Sequence, residues 1–415
     1  MRAPLAGRAE EATAGYRWVV LGIVYPSLLA FAAVFQSLPP LLSLLLADLH
    51  LSHTEAGLLM SLFALPGVFL SVPAGLSVDR YGVRSPMLLS LAAMIVGSLL
   101  VAVGQEWSIL ALGRLVAGAG GGALFVMSAA YVAAWFPVRQ LGVAMGSVST
   151  TMPVGMVLTL NLLGTVAAGL GWRGALLLAI APALVAVVAF GLLYRPPPPG
   201  RLREAPLMGQ ATLGSILGLG VPIWLVGGIW LLTNAALIAF LTFGPDYFMT
   251  RGYGVGVASF LASILMLPSP LLAPGVGYLV DRLGREELLL GLGGLSVAGS
   301  MLAIAAASLP LAVPLVLLGV GVALVPPPIF ALPSKRLPPQ RVGAGYGIVS
   351  TCLNVGVVAG PYVSGVARDL TGAYQLSFSL LAGFALMAAL LAGVLARARQ
   401  PRSRGWAPRG PGTAR

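Results

Sequence analysis

The sequence predicts an all-α membrane protein with twelve transmembrane helices in two parallel six-helix repeats. Three observations carry that prediction. Of the 415 residues, 58% are hydrophobic and only 9% are charged. An ordinary soluble domain has roughly 25% charged residues, so a soluble enzyme is excluded. The apolar residues gather into twelve runs, each near the about 20 residues that a bilayer-spanning helix requires. The two halves of the chain repeat the same short motifs at offsets of 201 and 202 residues.

The runs fall at 18–40, 56–78, 87–104, 108–134, 142–167 and 174–194 in the first half. In the second they fall at 219–243, 256–279, 287–308, 311–333, 343–366 and 373–396. They are too long for strands, and a backbone in hydrocarbon has to satisfy its own hydrogen bonds, which leaves helices. The 54 glycines and 32 prolines fit this reading, because both residues are enriched in membrane helices. The first run is longer than the h-region of a signal peptide, and Glu10 and Glu11 stand in what would be its basic flank. It is therefore read as a span and not as a cleaved leader. The single cysteine, Cys352, excludes a disulfide framework and any Cys-rich metal site.

The net charge of +12 reads as a topology code. One lysine, Lys335, and 23 arginines are scattered in short gaps between the runs, whereas a nucleic-acid partner needs a clustered basic face. With both termini in the cytoplasm, 20 of the 24 cations fall in cytoplasmic segments. Three (Arg173, Arg251, Arg368) fall in outer loops and one, Arg114, inside a span. That is the positive-inside bias of a multi-pass protein of the cytoplasmic membrane. The chain divides into a cytoplasmic segment 1–17, a bundle 18–194, a cytoplasmic linker 195–215, a second bundle 216–396 and a basic tail 397–415. The tail is expected to be disordered and drawn to anionic lipid.

The repeat is specific. Gly75-Leu-Ser-Val-Asp79-Arg80-Tyr-Gly82 follows the second run, and Gly277-Tyr-Leu-Val-Asp281-Arg282-Leu-Gly284 follows the eighth. Pro66 matches Pro268, Gly118 and Gly120 match Gly319 and Gly321, and Gly142, Gly146 and Gly155 match Gly343, Gly347 and Gly356. Two halves in the same orientation form the parallel repeat of secondary transporters, which bind substrate near the midplane between the halves.

These motifs resemble the major facilitator superfamily. The resemblance covers nearly the whole chain apart from about the last twenty residues. Its loop signature is matched by Gly75-x-x-x-Asp79-Arg80-x-Gly82-x-Arg84, with a second copy at Gly277, Asp281, Arg282 and Gly284. Arg114-x-x-x-Gly118-x-Gly120, Gly171-Trp172-Arg173 and Asp369-x-Thr371-Gly372-x-Tyr374 add to it. The resemblance implies the major facilitator fold and an alternating-access carrier, with runs one, four, seven and ten around the cavity and three, six, nine and twelve as scaffold. It also implies that Asp79 latches the halves in the outward-facing state, with Arg139 or the start of run eleven as partner. The second copy departs from the first, since Glu286 stands where Arg84 would align.

Arg114, the one charge inside a span, is a candidate for substrate binding or coupling, because an intramembrane charge is costly and functional by default. It could bind an anionic group, or hold backbone carbonyls and couple protonation. The twelve acids all read as lying at span ends or in loops, Asp246 and Glu55 among the outer ones. This weakens proton antiport by a buried carboxylate. Gln36 and Tyr25 in run one, Thr151 in run five, Trp230 and Asn234 in run seven, and Asn354 and Tyr346 in run eleven are the further binding candidates. Each alone could serve only as an interhelical hydrogen bond; as a set they point to a polar cavity. Pro326-Pro327-Pro328 is expected to interrupt run ten. His50 and His53, beside Asp48 and Glu55, read as a solvated loop lacking the ligands for a metal.

The reading is a secondary active transporter of a small solute, leaning to a small organic or inorganic anion or a polar metabolite. The rivals are efflux of hydrophobic compounds and a non-transporting sensor or scaffold. The expected partners are the solute, the bilayer and a coupling ion, with the proton as candidate. No cofactor, metal or nucleic acid is expected, and the chain is expected to be monomeric.

Overall fold

The computed structural model describes residues 3–197, 219–306, 310–338 and 341–398. Most of the linker and tail expected above, and the side chains of Gly75, Asp79 and Arg139, lie outside the described residues. The first half comprises α1 (Ala3–Phe35), α2 (Leu42–Leu49), α3 (His53–Tyr81), α4 (Arg84–Val103), α5 (Trp107–Trp135), α6 (Val138–Ser149), α7 (Thr151–Ala179) and α8 (Ala181–Leu193). The second comprises α9 (Val221–Thr250), α10 (Val255–Ser263), α11 (Pro268–Leu283), α12 (Glu286–Ala306), α13 (Ala312–Ala323), α14 (Pro326–Arg336), α15 (Val342–Thr371) and α16 (Tyr374–Arg397).

Among the described residues, eleven stretches are long and apolar enough to cross a membrane, and one of them, Gln140–Leu193, has 54 residues. At about 1.5 Å per residue that is more than twice the hydrocarbon thickness. The chain leaves helical geometry once inside it, at Gly171 (φ 69°, ψ 175°), a backbone conformation open to glycine. The stretch is thus two passes and the total is twelve. With an even number of passes, residues 3 and 398 share one face, called here the terminal face; the opposite one is the distal face.

The repeat is visible in atomic contacts. A Cβ added at Gly118 would fall on the Phe63 carbonyl, and one at Gly120 on the Ser90 carbonyl. In the second half, a Cβ at Gly319 would meet the Leu265 carbonyl at 2.6 Å, and one at Gly321 the Ser296 Cβ at 2.9 Å and the Gly293 carbonyl at 3.0 Å. The matched glycines therefore do matched work. Each pair brings the fourth pass of its half against the second and third, backbone to backbone, as small residues do in membranes.

Two passes depart from the sequence expectation, and a third keeps to it. The first is not one helix to residue 40. α1 ends at Phe35, and a 3-10 turn at Pro39–Leu41 leads into α2. Pro39 and Pro40 have no N–H to return to the carbonyls of residues 35 and 36. The seventh pass runs on past the end of its apolar run at 243 to Thr250, with Pro245 inside the helix. A proline inside a helix costs about 3 kcal/mol. Unwinding the last two turns in hydrocarbon would strip several backbone groups of partners at several kcal/mol each, so the helix continues. The tenth pass breaks between Ala323 and Pro326, as the triple proline predicts. Pro326 then opens α14, where its missing N–H costs nothing.

Candidate functional site

The two halves meet tightly on the distal side. A Cβ at Gly57 of α3 would fall on the Pro361 carbonyl of α15, and one at Gly365 of α15 on the His53 carbonyl. A Cβ at Gly164 of α7 would meet Ser259 of α10. Polar contacts follow the same seam. Asn161 Nδ2 donates to Ser263 at 3.0 Å, and Ser61 donates to the Val358 carbonyl.

At the distal end Asp369 caps α3 from the other half. It accepts the backbone N–H groups of His53 (3.0 Å) and Thr54 (2.8 Å) and the Thr54 hydroxyl (2.6 Å). A carboxylate belongs there, at the positive end of the helix dipole. Ser52 and Glu55 add a reciprocal capping box: Ser52 N–H donates to Glu55 at 2.8 Å, and Glu55 N–H to Ser52 Oγ at 3.1 Å. That signal was present in Ser52-x-x-Glu55. Gly372, left-handed at φ 68°, ends α15 and turns the chain so that Tyr374 donates to Asp246.

Asp246 corrects the sequence reading. It is not an outer-loop acid: it sits inside α9, 6% exposed, and accepts hydrogen bonds from Ser43 of α2 and Tyr374 of α16. His53 is likewise no solvated loop residue. It opens α3, and its ring reaches both Asp246 and Asp369 of the other half. His50, in contrast, is exposed and left-handed (φ 52°) at the end of α2. Among the described residues, no group of His, Cys, Asp and Glu could hold a metal. The Gly171-Trp172-Arg173 stretch also gains a task. Trp172 donates to Asp48 at 3.0 Å and Arg173 at 2.6 Å, with the guanidinium 4.1 Å over the indole. Together they tie the fifth-to-sixth turn to α2.

Arg114 is 1% exposed and spent on backbone. Its Nε donates to the Leu59 carbonyl at 3.0 Å, Nη1 to Val34 at 2.9 Å and Nη2 to Phe35 at 3.2 Å. The guanidinium also lies 4.6 Å over the Phe63 ring. Of the three, the Phe35 carbonyl is the one that Pro39 leaves without an N–H, and Arg114 supplies its donor.

The neutral candidates divide by depth. Thr151 (0% exposed) donates to Val148 across the break between α6 and α7, and Asn234 (5%) to Trp230 within α9. Gln36 is fully buried, and neither its amide oxygen nor its nitrogen meets a partner among the described residues. Tyr25 is half-buried, 3.4 Å from Thr150. Asn354 is half-buried, with its Oδ1 3.6 Å from a Cβ placed at Gly67 of α3. Trp230 packs edge-on against Phe330 at 5.8 Å, and Tyr346 donates to the Phe330 carbonyl at 2.7 Å. The structure thus gathers Trp230, Phe330 and Tyr346, and places Arg114 away from them in the first half.

On the terminal side the picture reverses. Cβ atoms at Gly142, Gly146, Gly275, Gly277, Gly343 and Gly347 would meet nothing within 4 Å. The polar contacts found here stay inside one half: Arg17 to Gln140 (2.7 Å), Arg84 to the Gly191 carbonyl (3.1 Å) and Tyr131 to the Arg195 carbonyl (2.9 Å). Gly82 (φ 71°) and Gly284 (φ 57°) make the matching turns of the two loop signatures. Arg80 is exposed, and Arg282 donates to Tyr278 at 3.2 Å. Glu286, the departure in the second copy, is buried and ion-paired with Lys335 at 2.7 Å. Glu287 pairs with Arg336, and Asp281 lies 3.9 Å from Lys335. The two glutamate pairs bind the start of α12 to the end of α14, and Asp281 brings the end of α11 to the same place.

The comparisons agree with this architecture. The bacterial homologue of the human lysosomal transporter Spinster, solved in an inward-facing and occupied conformation, superposes with a TM-score of 0.78. It is 16% identical and covers 92% of this chain and 97% of its own. The nucleoside transporter NupG superposes with a TM-score of 0.73 at 12% identity, over 92% and 100% of the two chains. In sequence, the lysosomal dipeptide transporter MFSD1 of Danio rerio is 24% identical over 91% of this chain and 86% of its own. The hexuronate transporter of Bacillus subtilis is 25% identical over 83% and 86%. The sequence profile of the Major Facilitator Superfamily matches residues 24–267 and 248–414. This twelve-pass, twice-repeated membrane protein belongs to the Major Facilitator Superfamily, a family of solute transporters.

Proposed function

We propose that the protein is a secondary active transporter that moves a small polar organic solute across the cytoplasmic membrane by alternating access. One observation carries the reading. The halves are fastened along their distal ends, while glycines on the terminal ends of the fifth, eighth and eleventh passes face open space. With the arginine-rich terminal face in the cytoplasm, as the positive-inside bias favours, this is the inward-open state. Closing the terminal face would then bring the loop signature at Asp79 and Arg80 toward the start of α15 as the latch of the opposite state.

The lining supports a polar metabolite over an inorganic anion. Arg114, the cation that suggested an anion, has its donors on carbonyls. The half-buried candidates are neutral: Tyr25, Asn354 and Tyr346, with Phe330 and Trp230 packed near Tyr346. Relatives that carry dipeptides and hexuronates fit a solute of that polarity. The protein acts as a monomer in this reading, with the proton as candidate coupling ion.

Counterflow in proteoliposomes tests it with dipeptides, hexuronates, tartrate, nucleosides and nitrite as competitors. Competition by an organic polar solute, weakened in Asn354→Ala, is expected. Competition by nitrite alone would restore the anion reading, and competition by lipophilic compounds alone would favour efflux.

A further inference from the structure

His53 lies between two carboxylates of the opposite half. Its Nδ1 is 3.0 Å from Asp369 Oδ1 and its Nε2 is 3.4 Å from Asp246 Oδ2. Both acids already receive other donors. Asp369 accepts two backbone N–H groups and the Thr54 hydroxyl, and Asp246 accepts the hydroxyls of Ser43 and Tyr374. These are the partners of ionised acids. A neutral imidazole carries one N–H, so whichever nitrogen holds it, the other turns a lone pair toward a carboxylate oxygen. Only the imidazolium donates from both sides.

The other charged and titratable groups around the ring do not replace it. Arg368 of α15 lies over the Tyr374 ring at 4.8 Å. Tyr247 of α9 faces the same ring at 5.8 Å and lies under Arg251 at 5.6 Å. On α2, Asp48 is held by Trp172 and Arg173. On α3 itself Glu55 is taken up in the capping box with Ser52. Among the described cations, His53 is the one that touches both Asp246 and Asp369.

We propose that His53 is a proton-binding site that clamps the distal seam, so that proton concentration on the distal side sets how long the carrier stays closed there. The proposal rests on the alternating-access reading. The bound proton lets one side chain of α3 bridge α9 and α15, two helices of the other half. Its loss turns one of the two bridges into a contact between a lone pair and a carboxylate oxygen. The His53 side chain is 21% exposed, so it exchanges protons with the distal solution while the seam is shut. Histidine is also the side chain whose ordinary titration falls between about pH 5 and 8.

The test measures the width of the distal opening directly. Spin labels go at Gln105→Cys and Tyr253→Cys, both exposed on the distal face, in a Cys352→Ser background in nanodiscs. Distances are recorded from about pH 5 to 8, with and without a transported solute. The expected result is a short distal distance at acid pH that gives way to a longer one as pH rises. His53→Gln should abolish that pH dependence while leaving the response to solute. Asp369→Asn, which keeps the shape of the cap, should shift or flatten the pH profile and serves if His53→Gln does not fold. A pH profile unchanged in either variant overturns the proposal. So does a wild-type distance that moves with solute but not with pH, and that result leaves alternating access standing. A distance that answers to neither sinks both.

Discussion

The Phe35 carbonyl accepts a hydrogen bond from Arg114 at 3.2 Å, because Pro39, four residues further on, has no N–H to offer it. The one charge that the sequence places inside a span thus answers a backbone defect in the neighbouring pass. Arg114→Ala would leave the Phe35 carbonyl unmet, at about 1–3 kcal/mol, and would take one donor from the carbonyls of Leu59 and of Val34, which Ser37 also reaches. A fall in thermal stability of the purified protein is expected. Arg114→Lys should recover part of it, since an ammonium can reach one or two of the three carbonyls. Thermal shift with substrate separates this from a binding role: ligand-induced stabilisation should persist in Arg114→Lys.

Glycines at the seam are expected to control which state is populated. A side chain at Gly57 or Gly365 has to displace the facing backbone, so Gly57→Leu and Gly365→Val should open the distal face. Gly146 and Gly347 face space. There a leucine should be tolerated and should hold the terminal face open. Thiol labelling of single cysteines on each face reads both outcomes, and equal labelling in all four variants would contradict them.

The two ion pairs between α12 and α14 should differ in weight. The side chain of Glu287 is 4% exposed and that of its partner Arg336 17%; Lys335, paired with Glu286, is 41% exposed. Removing Glu287 strands a shielded guanidinium, at about 1–3 kcal/mol after allowing for its partial exposure. Glu286→Ala should cost less, because Lys335 can turn to water. Exchanging the charges, with Glu287→Arg and Arg336→Glu, should not restore full stability. Each group now sits at the helix end that its charge favours. Thermal unfolding of the three variants ranks them.

Asn354 and Asn234 provide a matched comparison. Both donate within their own helices, but Asn354 is half-buried near α3 of the other half, whereas Asn234 is buried. Asn354→Ala is expected to raise KM several-fold with little change in melting temperature. Asn234→Ala is expected to do the reverse. Initial uptake rates at varied solute, beside thermal melts, decide the point.

The passes and the repeat were legible because both are local properties of the chain: apolar length and spaced glycine. The distal seam was not. Asp246 lies beyond residue 243, where the seventh apolar run ends, and only packing against hydrocarbon and neighbouring helices carries α9 that far. His53 reads as a loop residue until Asp246 and Asp369 arrive from the other half. Glu286 looked like a weakened copy of the loop signature, yet it has a partner of its own in Lys335. Gln36 was singled out, but its burial depends on the unwinding that Pro39 and Pro40 impose.

The matched glycines that join the fourth pass of each half to its second and third have a mechanical consequence. Contacts between bare backbones have no rotamers to exchange, so they transmit force with little give. Each bundle is therefore stiff near its centre. The compliance that any rocking motion demands is left to the broken segments at Gln36–Leu38, Thr150, Ile264–Met266 and Leu324–Val325. Those are the places where a change in temperature or lipid tension should be felt first.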